Sequence, residues 1–185
     1  MDDYQYLINV EKKHIMGKNV STHDLETVFK ILKESEIPHV TKSASFILAT
    51  FDKNTLLQLI DNFDMYAEDK QDDIILNLAC TDYVESYSFL LKELKNSPNH
   101  KRVLTLTVAL AKTTYFIFPL ILAHLQDNPS DSYLEKLKQV IKRTGFYKLK
   151  PYMSLFPILP EEWVFRDVFG HELMNTLHNT DQDNN

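Results

Sequence analysis

His171, Glu172 and His178 are the residues nearest to a catalytic spacing. On a helix, two histidines one turn apart can hold zinc while a glutamate activates its water. Asn175 stands where the second histidine belongs, and His171 with His178 alone would lack a third ligand, so solvated histidines and no metal site are expected. Asp61, Asp64, Glu68, Asp69, Asp72 and Asp73 form an acidic run in which Lys70 is the lone cation. A calcium loop needs a glycine at its turn and fixed ligand spacing, and both are missing here. The run reads as a solvated bend or, more sharply, as a docking patch for a basic partner. Asp61 and Asp64, three apart, share a helical face.

A cationic segment follows, with Lys136, Lys138, Lys142, Arg143, Lys148 and Lys150 opposed only by Asp131 and Glu135. Such a surface can meet nucleic-acid phosphate, although lysines on helix surfaces commonly serve solubility alone. Trp163, Arg166 and Asp167 fall on adjoining positions of one helix turn. In that respect they resemble the HEAT-like alkylpurine DNA glycosylases, whose Trp and Asp one turn apart grip a damaged nucleotide. The resemblance implies a nucleic-acid enzyme. Those enzymes carry a strongly cationic groove, whereas the formal net charge here is -6 with a pI near 5.6, which argues against a broad phosphate footprint. A terminal helix with Trp163 packed inward and an Arg166/Asp167 surface pair is the expectation. No nucleophile, base and oxyanion site assemble at a recognisable spacing, so no catalytic activity and no cofactor are expected.

Composition narrows the remaining classes. The only glycines, Gly17, Gly145 and Gly170, lie far apart, which excludes the glycine-rich turns that approach nucleotide phosphates. Cys80, the single cysteine, can form neither an intrachain disulfide nor a thiolate metal cluster, and is expected as a small packing residue. A start of Met1-Asp2-Asp3-Tyr4 lacks the basic and apolar regions of a secretory signal, so the cytoplasm is the expected compartment. The most apolar stretch, residues 103–125, contains Lys112, Pro119 and His124. It suits two buried helices better than a membrane span.

The elements that must carry these residues are helices. Leucine outnumbers valine, helical spacing recurs, and no alternation of apolar and polar residues persists. Proline is tolerated in the first turn of a helix and discourages helix just before it. Pro98, Pro129 and Pro160 are spaced by 31 residues, and Pro38 precedes Pro98 by 60, with Glu68 at the intermediate place. Leu48-Ala49, Leu78-Ala79 and Leu110-Ala111 recur at 30 and 32, and Ile141 follows Leu110 by 31. A small residue beside a large one suits a close helix crossing. The pattern predicts helix pairs over 38–51/53–65, 71–81/83–96, 99–115/118–127 and 130–144/150–158. Residues 3–16 and 22–35 form a leading pair, with Ser21 or Thr22 as cap.

With this period, these prolines and the Leu-Ala pairs, residues 38–160 resemble the HEAT/armadillo-like α-helical repeats, although the Asp and Arg ladder of well-formed HEAT units is absent. The resemblance implies an all-α, right-handed α-α superhelix of about four helix-pair repeats with capping helices. The expected organisation is one domain over 1–178: an N-terminal pair (1–37), four repeats (38–159) and a C-terminal capping helix (160–178). A disordered tail, 179–185, follows. The class also implies partner binding through a helical surface. The expected function is a noncatalytic adaptor, inhibitor or regulator with a protein partner, which the charge permits to be basic; nucleic acid is the less expected partner and no membrane role is expected. Contacts are expected from helices 53–65, 83–96 and 118–127 through Asp61, Glu85, Lys92 and His124. Packing is the favoured role for the tyrosines, and Tyr83, Tyr87 and Tyr152, on second helices, are the ones better placed to reach a partner. A glycosylase-type enzyme and a cytosolic immunity or antitoxin protein are the alternatives.

Overall fold

A computed structural model of the chain describes residues 2–113, 117–153 and 164–170. Among the described residues the regular elements are helices, with no strand. The order is α1 (Asp3–Ile15), α2 (Thr22–Glu34), α3 (Pro38–Thr50), α4 (Lys53–Asp61), a 3-10 turn (Phe63–Met65), α5 (Glu68–Leu78), α6 (Val84–Asn96), α7 (His100–Lys112), α8 (Ile117–Gln126), α9 (Asp131–Thr144) and α10 (Phe146–Met153). Residues 164–170 form a further helical segment. The tail, Trp163, His171 and His178 lie outside the described residues.

Local chemistry accounts for most of the helix starts. A first turn leaves backbone N–H groups without partners inside the helix, and a preceding Ser, Asp or Asn can accept from them. Asp2 does so for α1, Asp52 for α4, Asn99 for α7 and Ser130 for α9. Ser21 and Asp24 cap α2 reciprocally, each side chain accepting from the other's backbone N–H. Pro38 opens α3 as its first residue, without a side-chain cap. Pro98 and Pro129 sit elsewhere than in a first turn. Each immediately precedes the capping residue, Asn99 or Ser130, so the two positions 31 apart share one local setting.

Several predicted boundaries shift. The fourth helix, expected to reach 65, ends at Asp61 before the 3-10 turn, and the seventh, expected to reach 115, ends at Lys112. The fifth helix covers 68–78 instead of 71–81, because the acidic residues Glu68 and Asp69 occupy its first turn, where they favour the helix dipole. Cys80 consequently falls past the helix end and is exposed, which corrects its expected packing role. The tenth helix starts at Phe146, earlier than the predicted 150. Gly145 ends α9 at φ 87°, a conformation that costs glycine little, and buried Phe146 and Leu149 begin the next helix at once.

α1 closes with a complete glycine-based stop. Gly17 adopts φ 63°; its N–H donates to the His14 carbonyl, and the Lys18 N–H donates to the Lys13 carbonyl at 2.9 Å. Gly17→Ala would impose a left-handed conformation on a residue with a Cβ. Although nothing stands within 4 Å of the added carbon, thermal denaturation should show a loss of about 1 kcal/mol. An unchanged Tm would disprove this account of the turn.

The chain divides into two compact units, Met1–Lys92 and Glu93–Asn185, with the boundary inside α6. In the first, α3 is central and packs on α1, α2, α4 and α5. Leu48, Ala49 and Leu78 are fully buried. The α3–α5 seam is polar in part: the buried Asn77 amide donates to Ser45 Oγ at 2.6 Å and to the Lys42 carbonyl, while Thr41 donates to Asp73. In the second unit, α9 packs on α7 and α10, burying Leu106, Leu110, Leu137 and Ile141. Phe118 and Phe146 contact Phe165 and Phe169 of the 164–170 segment.

One device occurs in both units. The Lys70 ammonium donates to the Lys33 carbonyl at 2.6 Å at the end of α2. Lys136 reaches the carbonyls of Leu94 and Ser97 at the end of α6, and Lys148 those of Ala111 and Thr113 at the end of α7. The last carbonyls of a helix lack intrahelical partners and carry its negative dipole end. A lysine from a later helix answers both deficits.

Candidate functional site

The acidic run lies at the bend from α4 through the 3-10 turn into α5. Asp61, Asp64, Glu68 and Asp69 are exposed there. Asp73 is half-buried and its carboxyl is raised above the usual range by desolvation, with Lys42 and Thr41 acting against that rise. The decisive feature is Lys70. It is the sole cation of the run, yet it is buried and donates to the Lys33 carbonyl, making no ion pair with Asp61, Asp64 or Asp69. Met65, 61% exposed, stands among them, while Phe63 anchors the turn edge-on against Phe89.

The four contact residues expected from the sequence meet different fates. Asp61 and Lys92 are exposed. Glu85 is tied to Lys53 at 2.5 Å, and that bond holds its carboxyl below the usual range. His124 belongs to the second unit, where its Nδ1 lies 3.0 Å from the buried Tyr133 hydroxyl. Desolvation lowers its pKa, opposed by Asp127 and reinforced by Lys95. The Lys95 ammonium stands over the Tyr133 ring at 5.9 Å. Burial pushes the Tyr133 phenol well above its ordinary value, so it remains a phenol. Tyr87 is wholly buried and donates to the Thr81 carbonyl.

Three cations of the segment are used internally. Lys136 and Lys148 cap helix ends, and burial lowers the Lys148 pKa. Lys138 bridges Asp167 at 2.6 Å and Glu135 at 3.1 Å, which raises its own pKa. Lys142 and Arg143 are exposed. Asp167 therefore pins the 164–170 segment to α9, a pairing across sequence in place of the expected pairing with Arg166.

A site missed in the sequence lies at the α1–α2 turn. Asp24 is buried and accepts from the Ser21 N–H at 3.0 Å, the Ser21 hydroxyl, the Lys13 ammonium at 3.1 Å and the Tyr6 hydroxyl at 3.0 Å. The Ser21 N–H is the largest cause, and with Lys13, the Ser21 hydroxyl and Tyr6 it outweighs desolvation, holding the carboxyl far below the usual range. Beside it opens a cavity of about 460 Å³ lined by Tyr6, Asn9, Val10, Lys12, Lys13, Met16, Lys18 and Asp24. Ser21 followed three residues later by an acid was the available signal; the reach of Tyr6 and Lys13 from α1 had none.

Among the described residues, no group of three or more His, Cys, Asp or Glu is placed to hold a metal ion, and no helix is long and apolar enough to cross a membrane. The geometry defines an all-helical protein whose most perturbed ionisable groups have partners within the fold. The chain matches no protein-family model, no curated protein and no solved structure at a significant level.

Proposed function

We propose that the chain is a noncatalytic interaction protein, a short HEAT/armadillo-like α-solenoid of the cytoplasm. It binds a basic protein partner on the acidic bend between α4 and α5. The carrying observation is the inward commitment of Lys70, which leaves Asp61, Asp64 and Asp69 exposed without an ion pair to that neighbour. Exposed carboxylates steer a cationic partner and set its orientation, and Met65 adds an apolar anchor. The packing of α3 on α5 and of α7 on α9, with the matched settings of Pro98 and Pro129, supports the solenoid reading. The exposed Cys80 thiol suits a reducing compartment.

Asp61, Asp64 and Asp69 are better contact residues than Glu85, which Lys53 already neutralises. A glycosylase role is disfavoured because its acid, Asp167, is held by Lys138. An immunity or antitoxin protein would use the same bend, with a basic toxin as the partner. In affinity capture from the native cell, the D61K/D64K/D69K variant should recover its main partner at least about tenfold less than the wild type. Raised salt should weaken the wild-type complex in parallel. Equal recovery of the same partner by both proteins, with unchanged circular dichroism, would refute this surface.

A further inference from the structure

The geometry points to a phosphate-binding site in the cavity at the end of α1, with Lys12 and Lys18 as the binding cations and a phosphate monoester as the ligand class. A cavity of about 460 Å³ falls within the range of small-molecule sites, roughly 300–1,000 Å³. Three of its lining residues are lysines and only one is an acid.

The one acid, Asp24, lines the cavity, but its charge is balanced there by the Lys13 ammonium, which reaches both carboxylate oxygens, while Tyr6 donates to one oxygen and Ser21 to the other. With Lys13 so occupied, the cations left for a ligand are Lys12 and Lys18, both exposed. The end of α1 is its negative dipole pole, which opposes an anion; Lys12, in the last turn, offsets that pole, and Lys18, beyond Gly17 and outside the helix, supplies a further cation. The bond from the Lys18 N–H to the Lys13 carbonyl fixes where that side chain leaves the backbone. Ammonium groups bind phosphate as point charges and need no forked geometry.

Buried Val10 and exposed Met16 add apolar atoms to the lining, which suits an ester with a carbon body. Ile15, next to Met16 in sequence, is 75% exposed. A soluble monoester and the headgroup of a phosphatidic acid present the same chemistry to these lysines. The exposed Ile15, which is not part of the lining, would add apolar contact only to the lipid source.

The full chain should be titrated with glycerol 3-phosphate by calorimetry, and cosedimented with phosphatidylcholine vesicles containing phosphatidic acid. K12Q/K18Q removes the two cations, and K30Q/K33Q, on α2, controls for the change in net charge. Saturable binding of either probe, weakened at least about tenfold in K12Q/K18Q and retained in K30Q/K33Q, supports the site. Binding of glycerol 3-phosphate identifies a soluble source. Vesicle binding that also fails in Ile15→Glu, without binding of the soluble ester, identifies the lipid. No saturable binding of either probe by the wild type, or equal weakening in the two lysine variants, overturns the proposal.

Discussion

Leu78→Ala is expected to lower the stability of the protein by about 2 to 5 kcal/mol. Its side chain is completely excluded from solvent at the end of α5, in the helix that packs most extensively on α3. Truncation removes the transfer free energy of the lost carbons and leaves a cavity that the neighbours fill only in part. Single helices of this length are marginal in water, so packing across the α3–α5 seam must sustain both of them. The urea midpoint should fall, and amide exchange in α3 and α5 should accelerate together. Leu110→Ala should do the same in the second unit, where Leu110 is equally buried in α7, the helix that packs on α9. A wild-type midpoint in the Leu78 variant would mean that this position does not carry the packing of its unit.

Asp24→Ala should cost about 2 to 4 kcal/mol, combining a lost helix cap with lost hydrogen bonds to a buried charge. It leaves the Lys13 ammonium and the Tyr6 hydroxyl without their acceptor and opens the reciprocal cap with Ser21. The effect should depend on pH in one direction. The folded-state pKa lies below the unfolded value near 4, so the charged carboxylate stabilises fully above about pH 4. That contribution is lost as pH falls through the lower folded-state value. The stability difference between wild type and Asp24→Asn should therefore stay level from neutral pH to about pH 5 and shrink on further acidification. A difference that grew in acid would contradict the assignment.

Much of the architecture was legible in the order of residues because helix boundaries depend on neighbours. Asp52 and Ser21 announce caps, Pro38 opens a helix as its first residue, and the leucine spacing separates buried from exposed faces. The boundary at α10 was misread where one Gly145 dihedral let the next helix begin immediately. Side-chain roles were less legible. Lys70, Lys136 and Lys148 look like solvated charges in one dimension, yet their partners are carbonyls 35 to 42 residues away. Glu85 and His124 look available for a partner until Lys53 and Tyr133 are placed beside them.

Composition and local spacing by themselves determined that this chain is helical, where most of its helices begin and end, which leucines are buried, and that its net charge is negative. Those properties follow from backbone sterics, capping and hydrophobic periodicity, all of which act over a few residues. Tertiary structure alone decided which charges are consumed inside the fold and which remain on the surface, because a long side chain finds its partner only when distant helices meet. The exposed acids of the α4–α5 bend and the lysine-lined cavity of α1 both result from such pairings.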